Sequence, residues 1–169
     1  MSKHGRRCDV DLPKPYSWGD EASYEGSSGG GPLDYLESFG GNGGGIIWLI
    51  ASDTIKMNDT LVTVKGGDGR SFFPEKLGGG GGAGGSINIV TKNIAGNAII
   101  DAAGGNGSTY GGGGGSGGRM IAHLLGNYNA TNMFEQSLHW NGTVLLEGGK
   151  GGSTNSMFEA DNEPAKIAK

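Results

Sequence analysis

The chain has one cysteine, Cys8, in 169 residues. An internal disulfide framework is therefore excluded, and Cys8 is left as a candidate for an intermolecular disulfide or as a plain terminal thiol. Proline is scarce, with 5 residues, and the glycines follow no G-X-Y period, which excludes collagen. Hydrophobic residues make up only 34% and aromatics 8%. Any core must be thin and assembled from short segments. The longest apolar run, Ile46 to Ala51, is far too short to cross a bilayer, so no membrane span is expected. The N-terminus lacks the apolar h-region of a signal peptide. A secreted product would then imply prior processing or a longer parent chain.

Excess charge of one sign is missing too. The net charge is −4 and the pI is about 5.3. No basic face suggests nucleic acid as a partner. The short run Lys3-His4-Gly5-Arg6-Arg7 reads as a solvated tail. The histidines His4, His123 and His139 are scattered, and with a single cysteine no zinc spacing exists. No nucleophile sits near a base, and no carboxylates form a pair, so no catalytic residue, cofactor or metal is assigned. Asp53, Asp59, Asp68 and Asp101 lie near strand ends or glycine turns. Only "GGDGRSFF" approaches a calcium-roll nonapeptide, with its Asp misplaced, and turn chemistry explains these acids better.

Glycine is what the chain has in excess: 38 residues, about three times the ordinary share. The run Gly111–Gly115 is not a phosphate loop, because it leads into Arg119-Met120-Ile121 with no Lys-Ser/Thr pair. It belongs to a repeat. "GGNGGGIIWLIAS" from Gly40, "GGGGGAGGSINIVT" from Gly78 and "GGGGGSGGRMIAHLL" from Gly111 each pass from glycine into an apolar block. A second block follows each, in "TLVTVKGGDG", "NAIIDAAGGNG" and "GTVLLEGGKGG", closing on Gly-Gly-x-Gly. The unit is a glycine run, strand, turn, second strand, GGxG and loop, at a spacing typical of repeat proteins. Ile46–Ile50 shows no polar alternation and reads as a strand buried on both faces, or as the central one. Ser86–Thr91 alternates.

The expected fold is all-β. It is a β-solenoid, or β-helix-like, stack of three glycine-rich repeats, with room for polyproline-II glycine segments and an irregular N-terminal cap. The boundaries are 1–38 for the cap or linker, 39–152 for the repeats (about 39–77, 78–110 and 111–152) and 153–169 for a polar tail.

Four sequons, at Asn58, Asn106, Asn129 and Asn141, match N-x-[ST] and are candidate glycosylation sites. Trp48, Tyr110, Tyr128 and Trp140 are candidates for a sugar-stacking face, which would make the chain an adhesin or carbohydrate-binding module.

The cassette G-G-x-G-G-G-[IV]-[IV]-x-[LI]-x-A, then GG-x-G, then "GGGGGSGGRM", runs from about Phe39 to Gly152. It resembles the glycine-rich repeats of large extracellular surface proteins of protists and plants. That resemblance implies a non-enzymatic structural role at the cell surface or outside the cell. The expected function is a building block of a filament, coat or appendage. The expected partners are further copies or neighbouring subunits, with glycans as the alternative.

Overall fold

A computed structural model describes residues 22, 24–31, 38–71, 78–109, 111–125 and 139–152. Among these residues there are eleven short strands and no helix, so no helix is long and apolar enough to cross a membrane. The strands are β1 (Ser38–Phe39), β2 (Ile46–Ile50), β3 (Thr54–Met57), β4 (Leu61–Thr63), β5 (Arg70–Ser71), β6 (Ser86–Thr91), β7 (Asn93–Gly96), β8 (Ile99–Asp101), β9 (Arg119–Leu124), β10 (His139–Trp140) and β11 (Thr143–Leu145).

They form four small sheets. Three are parallel and three-stranded, in the orders β2-β6-β9, β3-β7-β10 and β4-β8-β11. The fourth is an antiparallel pair, β1 with β5. Corresponding strands meet in register: Ile47 faces Ile87 and Met120, while Val62 faces Ile100 and Val144.

The expected β-solenoid is not what the chain builds. Its sheets are small, mixed in direction and not closed, and they do not form a solenoid-like coil. The physical reason lies in the glycine segments. These carry no strand, and they hydrogen-bond with a recurrence of three residues, where a strand repeats every two. Gly41 and Gly44 donate to Gly80 and Ala83; Gly66 and Gly69 donate to Ala103 and Asn106; Gly104 and Gly107 donate to Glu147 and Lys150. Continuous sheet therefore stops wherever glycine begins. The irregular cap expected over 1–38 falls partly outside the described residues. The part described, 24–31, lies along two glycine runs: Gly26 and Gly29 donate to Gly44 and Gly41, and Gly80 and Ala83 donate to Gly30 and Ser27.

Two cores result. The apolar one lies inside the three parallel sheets and consists of Met57, Val64, Ile87, Ile89, Ile94, Ala98, Ile100 and Ala102. Its centre is the middle unit, where Ile87 and Ile89 are fully buried. The other core is backbone alone. A relay of hydrogen bonds runs from Gly149 to Gly115, Gly105, Gly82, Gly67 and Asn42, each N–H donating to the next carbonyl over 2.7–2.9 Å. A second relay, offset by three residues, joins Gly152, Gly112, Ser108 and Gly79. Ordering glycine is entropically costly. Dense backbone bonding of this kind offsets that cost.

Two strand assignments differ from the sequence reading. Ile46–Ile50 is an edge strand, not a central one. Ile46, Trp48 and Ile50 are exposed on it, while Ile47 and Leu49 pack on the core. The buried central strand is Ser86–Thr91. Its polar residues are satisfied by other segments. Asn88 accepts from the N–H of Ala22 and donates to its carbonyl, which fixes the N-terminal segment across the outer face of β6. Thr91 donates to the carbonyl of Asp53 at 3.0 Å.

The stretch between the two expected strands is not a simple turn. It holds a third strand in each unit: β3, β7 and β10. The corner after β3 uses Asp59 at φ 48°, a conformation that Asp and Asn tolerate better than most residues. Its equivalent after β7 begins at Gly96, at φ 113°.

Candidate functional site

The register lines up chemically different residues at equivalent positions. Thr63, Asp101 and Leu145 are partners in the β4-β8-β11 sheet. Counting on from them, with the bonds from Gly66 to Ala103 and from Gly104 to Glu147 holding the register, gives the column Lys65, Ala103, Glu147. Three residues further comes the x position of GGxG: Asp68, Asn106, Lys150.

That x position has a specific job. Asp68 Oδ1 accepts from the backbone N–H of Asn106 at 2.7 Å, and Asn106 Oδ1 accepts from the N–H of Lys150 at 2.8 Å. Each short acceptor side chain thus holds the unit that follows. Lys150 carries no acceptor, so the side-chain ladder ends with it. Lys65, Asp68, Glu147 and Lys150 are all exposed. Their columns place one charge sign on the first unit and the opposite sign on the third.

The sheet edges belong to the same two units. Among the described residues, β2, β3 and β4 form one boundary of the parallel sheets and β9, β10 and β11 the other. Strands at such boundaries carry backbone groups able to template a further strand.

The sequons divide. Asn58 and Asn141 are exposed at the corners after β3 and β10, in one column with Asn97. Thr60 Oγ1 of the first sequon donates to the Asn58 carbonyl at 2.9 Å. Asn106 is exposed but occupied in the ladder, and Ser108 of its sequon is buried, with no partner for its hydroxyl among the described residues. Asn129 and Cys8 lie outside the described residues.

Two of the four aromatic candidates fall within the described residues. Trp48 stands exposed on β2, Trp140 packs partly buried against the core from β10, and Tyr110 and Tyr128 lie outside the described residues. No group of three or more His, Cys, Asp or Glu positioned for a metal occurs among the described residues. Asp101 Oδ1 accepts from Ala103 N–H two residues on at 2.9 Å, whereas Asp59 Oδ1 accepts from Asn97 Nδ2 of the next unit at 2.7 Å. His123 is on the edge strand β9, opposite Val90.

The sequence marked GGxG as the close of each unit's second strand. It did not reveal the Asx ladder, whose signal was the recurrence of Asp and Asn at x in the first two units only. No family model, curated protein or solved structure matches the chain.

Proposed function

We propose that the chain is a non-enzymatic structural protein of the cell surface or extracellular space, a building block that associates with further copies into a filament, coat or appendage. The observation that carries this reading is the pair of sheet boundaries. Three parallel strands at each end, β2, β3 and β4 against β9, β10 and β11, are edges of the same set of sheets. On β2 the exposed face is apolar, with Ile50 at 71% exposure and Trp48 at 47%. Edge strands with exposed apolar residues favour strand addition. The outward positions of Asn58 and Asn141 are in keeping with a secreted, glycosylated protein. The glycine-rich cassette supports the same class of role.

The test is mass against concentration. Multi-angle light scattering and electron microscopy of the full chain are expected to show a mass that rises with concentration, and elongated particles. A single monomer mass from micromolar to millimolar concentration would remove the proposal.

A further inference from the structure

The association proposed above leaves open how two copies meet, and the charged columns answer that. We infer that copies bind head to tail, the third unit of one against the first unit of the next, with the register continued unbroken across the junction. This rests on the self-association reading and specifies its geometry. The occupant of each end is a second copy of this chain.

Three observations converge. First, the strands at the two boundaries are equivalents within one repeat, and each already pairs in parallel with a middle strand of the same kind. β9 is to β6 as β6 is to β2, so a second copy's β2 has the right direction and register to follow β9.

Second, the glycine segments have a bonding pattern that extends in the same way. Gly66 and Gly69 donate to the carbonyls of Ala103 and Asn106, and Gly104 and Gly107 donate to those of Glu147 and Lys150. One further step assigns the N–H groups of Gly148 and Gly151 to the carbonyls of Lys65 and Asp68 in the next copy.

Third, charge makes this junction complementary. Continuing the columns brings Glu147 next to Lys65 of the following copy, and Lys150 next to its Asp68. Backbone segments in these columns are joined by direct hydrogen bonds of 2.7–2.9 Å, so opposite charges on successive units would be within ion-pair reach in both columns. The two pairs have opposite polarity, Glu to Lys in one column and Lys to Asp in the other. Lys150 also ends the Asx ladder, so the junction exchanges a neutral side-chain acceptor for an ion pair. The interface is heterologous and open, the kind that propagates instead of closing into a dimer.

A mixing experiment tests the inference. Lys65→Glu sets a second carboxylate against Glu147 at every junction, and Glu147→Lys sets a second ammonium group against Lys65. Each variant alone is expected to self-associate about fivefold to tenfold more weakly than the parent chain at low salt. Both sites are exposed, and unchanged urea midpoints would show that the fold is intact. In an equimolar mixture every alternating junction is again attractive, so association should return to near the parent level. Lys150→Glu added to Lys65→Glu should weaken association further. Parent-like association of both single variants, or a mixture no better than its components, would overturn head-to-tail docking while leaving self-association standing. A parent chain that stays monomeric at all concentrations would overturn both.

Discussion

Replacing Gly105 with alanine is expected to abolish, or nearly abolish, cooperative folding. Gly105 is buried at the middle of the five-bond relay, donating to Gly82 and accepting from Gly115. A Cβ built on it falls on the carbonyl oxygen of Gly67, with the Gly67 carbon and the Gly66 oxygen behind it. All three are backbone atoms, so no rotamer change makes room. Relief requires moving one whole segment, and that segment is bonded to its other neighbours. Overpacking of cores commonly costs about 1–3 kcal/mol. Here the cost should reach the upper end or beyond, because the obstacle is backbone and several hydrogen bonds move with it.

The control lies in the same material. At Gly113 an added Cβ meets nothing within 4 Å, and φ is not positive. Gly113→Ala should be neutral or stabilising by about 0.4–1 kcal/mol, through the unfolded chain. Its neighbours Gly112 and Gly114 would drive a Cβ onto the Gly79 and Gly149 carbonyls. Urea melts of alanine variants at 112, 113 and 114 should therefore read unstable, stable, unstable. Equal losses at all three would mean that the segments are not packed as described.

The second large effect is expected at Ile89. Its side chain is fully buried in the central strand, flanked by Leu49 and Ala122 on the neighbouring strands. Ile89→Ala should cost about 2–5 kcal/mol, a large part of the stability of a domain this size. The apolar core is small, so little surrounding material can collapse into the cavity. Ile50→Ala, one residue beyond Leu49 on the opposite face of β2, should change stability by no more than about 0.5 kcal/mol. Similar losses at both positions, in thermal or urea unfolding, would contradict the division into inner and outer faces.

These two positions show how far the sequence could be read. The apolar blocks at Ile46, Ser86 and Arg119 were legible as strands because they are short, β-branched and bounded by glycine. Their depth was not. Ile46–Ile50 is the most hydrophobic block but belongs to the first unit, so it becomes an edge. Ser86–Thr91 carries Ser, Asn and Thr, yet it is the most enclosed because its unit comes second of three. Chain order decides burial here, and local hydropathy has no access to it. β3, β7 and β10 were missed for a related reason. "NIAG" has weak strand propensity of its own and "TIKM" is only 4 residues long, and pairing with equivalents in other units imposes the extended form.

The solenoid expectation failed on glycine. Local pattern revealed repetition and left room for polyproline-II glycine segments, but not that their bonding in threes would interrupt the sheets. The charged columns were invisible for the same reason. Lys65 and Glu147 are far apart in sequence and unremarkable singly; only the register makes them equivalent.

The backbone relay also bears on how this chain responds to temperature. Melting a hydrocarbon core exposes apolar surface and raises heat capacity, while exposing peptide groups lowers it. Much of what this protein would expose is peptide from glycine. Its heat-capacity increment per residue should then fall below the usual value of about 12–15 cal/mol/K. The stability curve becomes shallow, and resistance to both cooling and warming is spread over a wide range.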